Sequence, residues 1–307
     1  MLILDSNTKI KSHNTVVTIG KFDGFHEGHM KILRKVTEEK MLAGNFKSLA
    51  VSFTNHPDTL LRQDFKGVLM TDYDKDEFLS LYGFDYCVKL VFDEKLRDTE
   101  RDVFFNEYIV GKWNAAVLVV GDDFSFGKGR QGNCEYLRER CAAAGIKLCV
   151  VERKMYKDAP ISSSRIKEEV RNGNISEASE MLGYKLNYKG VVMQGNKIGR
   201  TLGFPTINII PDSSLCLPKF GVYTSFVRMD DENGGYISYE AITNIGLKPT
   251  VGDIKRPIIE SNLKDFDEEI YGREVVVFPR RFVRPEMKFR SLEELKAQIE
   301  KDKEEIR

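Results

Sequence analysis

Residues 15–29 read TVVTIGKFDGFHEGH, and this stretch decides the fold of the first half of the chain. Residues 15–20 form a short β-branched run that ends in glycine, which is typical of a buried strand. A helical pattern follows from Gly28 to about Ala43. A strand that turns directly into a helix is the repeating unit of an α/β fold.

The same alternation of strand and helix continues to about residue 152. Further strands are predicted at residues 48–53, 86–92, 115–121 and 147–152, and helical segments at residues 78–81, 100–113 and 135–145. Continuous apolar strands separated by helices are typical of a parallel sheet that is covered on both faces. We therefore expect an α/β domain with a parallel sheet.

The pattern changes after about Tyr184. Short alternating segments separated by turn residues such as those at 232–235 predict an antiparallel barrel or sandwich. Residues 176–182 predict a small helix between the halves, and a C-terminal helix with Ser291 as N-cap carries apolar residues at helical spacing, namely Leu292, Leu295 and Ile299. The predicted domains are residues 1–183 and 184–307.

Composition restricts the classes of partner. The 307 residues carry 47 basic and 47 acidic side chains, which argues against broad binding to nucleic acid or to a membrane surface. We see neither a secretory signal nor an apolar run long enough to span a bilayer. The five cysteines show no CxxC pair, so we expect free thiols in the cytoplasm. The oligomeric state is left open.

The turn after the first long strand has the features of a phosphate site. Backbone N–H groups and the positive end of the helix dipole meet there, and Gly20, Gly24 and Gly28 allow close approach of a ligand. His26 and His29, two of only four histidines, can point the same way and donate hydrogen bonds to phosphate oxygens. The alternative is a pair of surface or capping histidines.

Three further segments follow predicted strands, where open α/β sheets bind ligands. They are His56-Pro57, residues 121–129 (GDDFSFGKG) and residues 161–167 (ISSSRIK), in which Arg165 and Lys167 could hold polyphosphate. Taken singly, His56 could be an ordinary loop residue and Ser162 to Ser164 a simple helix cap. Taken together, the segments favour nucleotidyl transfer.

These motifs resemble those of the FAD synthetase module of bacterial bifunctional riboflavin kinase/FAD synthetases. GxFDGxHxGH, HP, GxDFxFG and ISSxxI occur in the order typical of that family. The resemblance implies a Rossmann-like nucleotidyltransferase domain in which the FMN phosphate attacks the α-phosphate of ATP and expels pyrophosphate.

The resemblance also implies roles for individual residues. His26 and His29 are expected to be catalytic, and Asp123 to lie near the reacting groups. The expected nucleotide-binding residues of this half are Gly20, Phe22, Asp23, Gly24, Gly28, His56, Asp123, Ser163, Ser164, Arg165 and Lys167. Lys167 stands where the family commonly has arginine and loses its two-pronged geometry, so we expect slower adenylylation.

The densest signal of the second half is residues 195–208, GNKIGRTLGFPTIN. Its glycines and cations suit a loop that closes over phosphates. Thr206 and Asn208 alternate on an extended strand and face the same side, and their oxygens suit Mg²⁺ held jointly with ATP. As residue types alone, a threonine and an asparagine on a strand are usually structural.

This half resembles the riboflavin kinase module of the same family. The matching motifs are GRxLGFPTxN, GVY at 221–223, NIGLKPT at 244–250 and ESNLKDFDEEIYG at 260–272. The resemblance implies a barrel that binds flavin and MgATP, Thr206 and Asn208 as metal ligands, and Glu260 as the base for the ribityl 5′-hydroxyl. Nucleotide-binding roles are implied for Gly199, Arg200, Gly203 and Pro205. Ile207 replaces the usual alanine, and Ser261-Asn262 replace a typical Val-His pair.

Three hypotheses for function follow. The leading one is a two-step enzyme that makes FMN from riboflavin and then FAD from FMN, each with ATP as co-substrate. The second keeps the kinase but weakens or loses the adenylyltransferase, because of Lys167. The third is a non-catalytic flavin-binding protein, which would have no need for a base at Glu260.

Overall fold

The computed structural model describes residues 1–11, 13–61, 64–194, 205–231, 234–249 and 255–306. These fall into two compact units, Met1–Ser163 and Ser164–Arg307. The domain boundary at residues 183 and 184 stays a prediction.

The first unit is an α/β domain around a parallel sheet. Its strands are β1 (Leu2–Leu4), β2 (Thr15–Ile19), β3 (Lys47–Phe53), β4 (Tyr86–Leu90), β5 (Ala115–Gly121), β6 (Ser125–Phe126), β7 (Gly132–Asn133), β8 (Lys147–Val151), β9 (Met155–Tyr156) and β10 (Ala159–Pro160). Its α-helices are α1 (Glu27–Ala43), α2 (Asp58–Leu61), α3 (Asp72–Leu81), α4 (Glu94–Arg97), α5 (Arg101–Val103) and α6 (Cys134–Ala144).

The main sheet has the order β1-β4-β3-β2-β5-β8, and every neighbouring pair is parallel. Successive residues of β2 pack into two different hydrophobic clusters, Val16 on one face of the sheet and Val17 on the other. The predicted parallel sheet, covered on both faces, is thereby confirmed. Strand β1 was not predicted, because this short edge strand leaves Leu2 63% exposed and lacks the buried pattern of the other strands.

The helix predicted over residues 100–113 takes two forms. Only Arg101–Val103 is α-helical, and Phe104–Lys112 continue as a π-helix. The wider turn places Phe104 and Ile109, five residues apart, together in the core. Apolar spacing alone does not distinguish these two helix types, since both bury one side.

The second unit is a nearly closed six-stranded antiparallel barrel. Its strands are β11 (Tyr188–Val191), β12 (Thr206–Ile209), β13 (Gly221–Asp230), β14 (Tyr236–Pro249), β15 (Lys255–Leu263) and β16 (Glu274–Arg284), in the order β11-β16-β13-β14-β15-β12. A bridge between Met193 and Asn208 links the two ends of this order. The structure therefore selects the barrel over the sandwich.

Helices precede and follow the barrel strands in the sequence. They are α7 (Ser163–Asn172), α8 (Ile175–Leu182) and α9 (Leu292–Lys303). The predicted N-cap of the last is confirmed, because Ser291 Oγ accepts a hydrogen bond of 3.2 Å from the Glu294 N–H. Within the described ranges, every helix is too short or too polar to cross a lipid bilayer.

Candidate active sites

The strand order collects the predicted phosphate-binding segments at one edge of the sheet. β2 lies between β3 and β5, and all three run in the same direction. The turn at 20–29, His56 and Asp123 follow the carboxyl ends of these strands, so they lie on the same edge. The Gly20 N–H donates to Val51 O at 3.0 Å, which fixes the start of the turn against β3.

The turn itself holds a strained backbone. Phe22 and Phe25 adopt φ values of 46° and 36°, in the left-handed region that bulky residues avoid. Both rings are fully buried and stack on each other at 5.7 Å, and Phe25 stacks on Phe78 at 4.4 Å. Aromatic burial therefore stabilises a backbone shape that would cost about 1–3 kcal/mol per residue elsewhere. The Phe22 ring also fills the space beside Gly20, where a Cβ atom would lie 2.9 Å from it.

This turn brings His26 and His29 into direct contact. His26 caps α1, and its Nδ1 accepts a hydrogen bond of 3.3 Å from the His29 N–H. The two rings stack with centroids 3.7 Å apart and planes 16° apart. A Cβ atom on Gly28 would lie 3.1 Å from the His26 ring, so glycine at this position leaves room for the stack.

Both imidazoles are neutral at physiological pH. Burial lowers the pKa of His26 to about 4, against an opposing effect of Asp23. Burial, and then the neighbouring His26, hold the pKa of His29 well below its usual value. Because His26 Nδ1 accepts a hydrogen bond, its Nε2 carries the proton and is a donor. The pair can therefore offer N–H groups to phosphate rather than positive charge.

Asp23, which belongs to this turn, lies close to His56. The Asp23 carboxylate is buried, and its Oδ1 accepts a hydrogen bond of 2.7 Å from the Leu69 N–H while Oδ2 lies 3.5 Å from His56 Nε2. His56 Nδ1 accepts from the Asp58 N–H at 3.2 Å, so the proton of His56 faces Asp23. Ser163 Oγ donates to the Asp23 carbonyl oxygen at 2.9 Å. The structure therefore brings three of the predicted residues together, and the role of Leu69 was not predicted.

The remaining predicted nucleotide-binding residues of this half fall in both compact units. Asp123 is exposed, and its Oδ1 lies so close to Gly121 that a Cβ atom added there would be 3.1 Å from it. Ser164, Arg165 and Lys167 belong to the second compact unit. Lys167 is only 6% exposed, and its carbonyl oxygen accepts a contact of 3.9 Å from Cys216 Sγ. Their binding of ATP stays a prediction.

The predicted kinase residues lie on neighbouring strands of the barrel. Asn208 on β12 is paired with Glu260 on β15, and Glu260 is paired in turn with Asn244 on β14. The alternate residues Ile207 and Ile259 are buried in the barrel, so the polar row faces the opposite side. The antiparallel register thus assembles residues that are far apart in the sequence.

Glu260 is held by two side chains. Thr206 Oγ1 donates a hydrogen bond of 3.0 Å to Glu260 Oε1, and Lys248 forms an ion pair with Oε2. These two partners orient the carboxylate. Because the Glu260 side chain is 26% exposed, it is also accessible to a ligand. Lys248 lies in the quoted NIGLKPT motif, but its spacing in sequence could not show that it reaches Glu260.

The donor set of this row suits Mg²⁺ together with ATP. The described ranges contain no group of three or more His, Cys, Asp and Glu that could hold a metal ion. Thr206 and Asn208 supply neutral, hard oxygens, and the Thr206 proton points to Glu260, which leaves the hydroxyl lone pairs for a cation. The phosphates of ATP would complete such a site.

Part of the predicted loop lies outside the described residues. Gly199, Arg200 and Gly203, with the rest of residues 195–204, lie outside the described residues, as does Thr250. Pro205 is described, and its carbonyl oxygen accepts a hydrogen bond of 2.7 Å from Asn262 Nδ2. The predicted closing of this loop over phosphates stays a prediction.

Comparison with known proteins matches both halves of the chain. The FAD synthetase family matches residues 8–165 and the riboflavin kinase family residues 182–307. A Bacillus subtilis bifunctional riboflavin kinase/FMN adenylyltransferase is 34% identical, covering 97% of this chain and 93% of the relative. The Haemophilus influenzae protein of the same name is 35% identical over 94% of this chain and 92% of its own.

A solved structure extends this likeness to the fold. The crystal structure of a Streptococcus pneumoniae protein named as a macrolide-efflux protein superposes with a TM-score of 0.86 at 26% identity, covering 100% of this chain and 99% of that one. The two family matches and the curated relatives agree with the motifs found in the sequence. The chain therefore carries an FAD synthetase domain and a riboflavin kinase domain and belongs to the bifunctional riboflavin kinase/FMN adenylyltransferase family.

Proposed function

We propose that the chain phosphorylates riboflavin to FMN and then adenylylates FMN to FAD, using ATP in both reactions. The observation that supports the proposal is that each compact unit holds its own candidate catalytic group. The first unit has two stacked neutral imidazoles at the start of α1, and the second has Glu260 beside Thr206 and Asn208.

In the kinase reaction, Glu260 is the general base. Its carboxylate takes the proton of the ribityl 5′-hydroxyl while a bond forms between that oxygen and the γ-phosphorus, and the bond to the ADP oxygen breaks. Thr206 orients the carboxylate through Oε1, and Lys248 holds Oε2. Thr206 and Asn208 would hold Mg²⁺, which supplies charge neutralisation on the phosphates.

In the adenylylation reaction, His26 and His29 stabilise the phosphates. An FMN phosphate oxygen bonds to the α-phosphorus of ATP, and pyrophosphate leaves. The His26 Nε2–H group and the N-terminus of α1 offer hydrogen-bond donors to the charge on the phosphoryl oxygens. Asp23 stabilises this turn, because its carboxylate contacts His56 and accepts a hydrogen bond from the Leu69 N–H.

We place the enzyme in the cytoplasm. Its five cysteines form no disulfide, and all five lie within the described residues. Free thiols are typical of a reducing compartment.

The direct test is product analysis. Purified protein is incubated with riboflavin, ATP and Mg²⁺, and the flavins are separated by chromatography. We expect FMN to appear first and FAD to follow, with release of ADP and then pyrophosphate. Accumulation of FMN without FAD would favour the kinase with a lost adenylyltransferase, and unchanged riboflavin would contradict the proposal.

A further inference from the structure

Two asparagines flank the proposed base on the outer face of the barrel. Asn262 follows Glu260 by two residues on β15 and therefore lies on the same face. Asn244 is paired directly with Glu260 across β14 and β15. Asn262 is 6% exposed.

The orientation of both amides is fixed by their NH₂ groups. Asn262 Nδ2 donates to the Pro205 carbonyl oxygen at 2.7 Å, and Asn244 Nδ2 donates to Glu286 Oε1 at 3.3 Å. Each of these partners can only accept a hydrogen bond, so neither amide can be turned around without losing it. The carbonyl oxygen of each amide must therefore be the atom that is left for another partner.

Both amide oxygens lack that partner. Asn244 Oδ1 and Asn262 Oδ1 are buried and have no hydrogen-bond donor within the part of the chain that the structure describes. Buried acceptors without a donor are uncommon in native proteins, because they have lost their hydration without gaining a hydrogen bond. Two of them beside one carboxylate indicate a place built for a ligand that donates hydrogen bonds.

The chemistry of the row identifies the donor. Phosphate oxygens only accept hydrogen bonds, so they cannot serve as donors to the two amide oxygens. Hydroxyl groups donate, and the ribityl chain of riboflavin carries three secondary hydroxyls next to the 5′-hydroxyl that Glu260 must reach. We propose that Asn244 and Asn262 accept hydrogen bonds from secondary ribityl hydroxyls and position the chain for phosphoryl transfer. This proposal rests on the kinase activity proposed above.

The test compares riboflavin with analogues that each lack one secondary ribityl hydroxyl. The full chain is assayed for kinase kcat/KM as wild type, Asn244→Ala and Asn262→Ala. Each variant should lose about tenfold with riboflavin, the effect of one neutral hydrogen bond at this site. With the analogue that lacks its own partner hydroxyl, each variant should match the wild type, because the bond is already absent.

Controls separate this role from a loss of structure. Asn187→Ala removes an amide that donates to the Lys185 carbonyl oxygen at 3.0 Å, before β11, and should leave kinase kcat/KM unchanged. FMN adenylylation by the same protein should stay unchanged in Asn244→Ala and Asn262→Ala. Asn244→Ala keeps the bond to Pro205 intact, so it remains informative if Asn262→Ala does not fold.

Two outcomes would overturn the proposal. If each variant loses the same factor with every analogue as with riboflavin, the asparagines do not contact the hydroxyls. If the variants equal wild type with riboflavin, they do not contribute to substrate positioning. Failure of the proposed function would look different, because the wild type would then phosphorylate none of the flavins.

Discussion

At the scale of single residues, the first candidate site offers neutral donors rather than charge. His26 and His29 stack at 3.7 Å, and burial keeps both uncharged at pH 7. Two protonated rings in such contact would repel each other. Neutral N–H groups avoid that repulsion and still stabilise the charge that develops on a phosphate.

Removing one imidazole should separate the two activities. We expect His29→Ala to lower kcat/KM for FMN adenylylation by about 10²–10³-fold, the typical effect of losing one preorganised donor. Riboflavin phosphorylation should change less than about twofold, since Glu260 lies in the other unit. His13→Ala is the matched control. His13 lies at the other end of β2 from the turn, where its Nε2 is 2.9 Å from Tyr86 OH, so this variant should leave both rates unchanged. Equal loss of both activities in His29→Ala would contradict the assignment.

The depressed pKa of His26 should make the first unit sensitive to acid. A histidine with a pKa of about 4 when folded and 6.5 when unfolded binds fewer protons in the folded state, so stability falls as pH drops through this window. Between pH 7 and pH 4, His26 should contribute a loss of about 3 kcal/mol.

The variant His26→Asn isolates this effect, because asparagine keeps an acceptor at the N-cap and does not titrate. Urea unfolding can be followed through Trp113, the only tryptophan, which is fully buried in the first unit. The free energy of unfolding of the wild type should fall by about 3 kcal/mol more than that of the variant over this range. If the free energy of unfolding falls equally with pH in the two proteins, the lowered pKa of His26 is contradicted.

At the scale of elements, the start of α1 and the register of β12 with β15 position the candidate catalytic side chains. α1 begins at Glu27 because His26 caps it, and it carries both imidazoles next to its N-terminus. On the barrel, the register of β12 with β15 places Asn208 opposite Glu260 and Thr206 opposite Asn262. A change in either element should therefore alter one activity specifically.

Gly28→Ala tests the geometry of α1. Alanine favours a helix over glycine by up to about 1 kcal/mol, so the free energy of unfolding should hold or rise. The new Cβ atom would lie 3.1 Å from the His26 ring, so the ring would have to shift by a few tenths of an ångström within its stack on His29. We expect FMN adenylylation to fall about tenfold while unfolding followed through Trp113 shows no loss of stability. Unchanged adenylylation would show that the stack tolerates displacement.

Thr206→Val tests the row on β12. The variant keeps the shape of the side chain but removes both the hydrogen bond to Glu260 and a predicted Mg²⁺ ligand. The Mg²⁺ concentration for half-maximal riboflavin phosphorylation should rise about tenfold or more, and kcat should fall. FMN adenylylation by the same protein serves as the control. An unchanged dependence on Mg²⁺ would exclude Thr206 as a ligand.

Much of the architecture was predictable from local patterns. The central strands of the first unit are continuous apolar runs, so their positions and the parallel sheet followed from the sequence. The exposed strand Leu2–Leu4 and the π-helix at Phe104–Lys112 were missed, because neither has a distinctive apolar period. The pairing of Asn244 with Glu260 and the ion pair between Lys248 and Glu260 were also not predicted, since they depend on the register between strands, which spacing in sequence does not reveal.

At the scale of the whole molecule, a chain with no net charge handles highly anionic ATP and FMN by local means. The 47 basic and 47 acidic side chains cancel, yet the start of α1 and the Thr206–Asn208 pair each suit phosphate or its metal. The two units hold different chemistry, which agrees with the two family matches. FMN is the product of one proposed site and the substrate of the other, so the sites should be separable by mutation and able to cooperate through free FMN.

The most direct test of two sites in one chain is complementation between two inactive variants. Glu260→Gln should make almost no FMN from riboflavin, and His29→Ala should convert FMN to FAD about 10²–10³-fold more slowly than the wild type, so neither alone should produce more than a trace of FAD from riboflavin and MgATP in the time of the assay. Mixed together, they should produce FAD, because FMN released by His29→Ala is adenylylated by the intact first unit of Glu260→Gln. FAD formation by either variant alone at a rate close to that of the mixture, or an FMN supplement that fails to restore FAD formation by Glu260→Gln, would contradict the account.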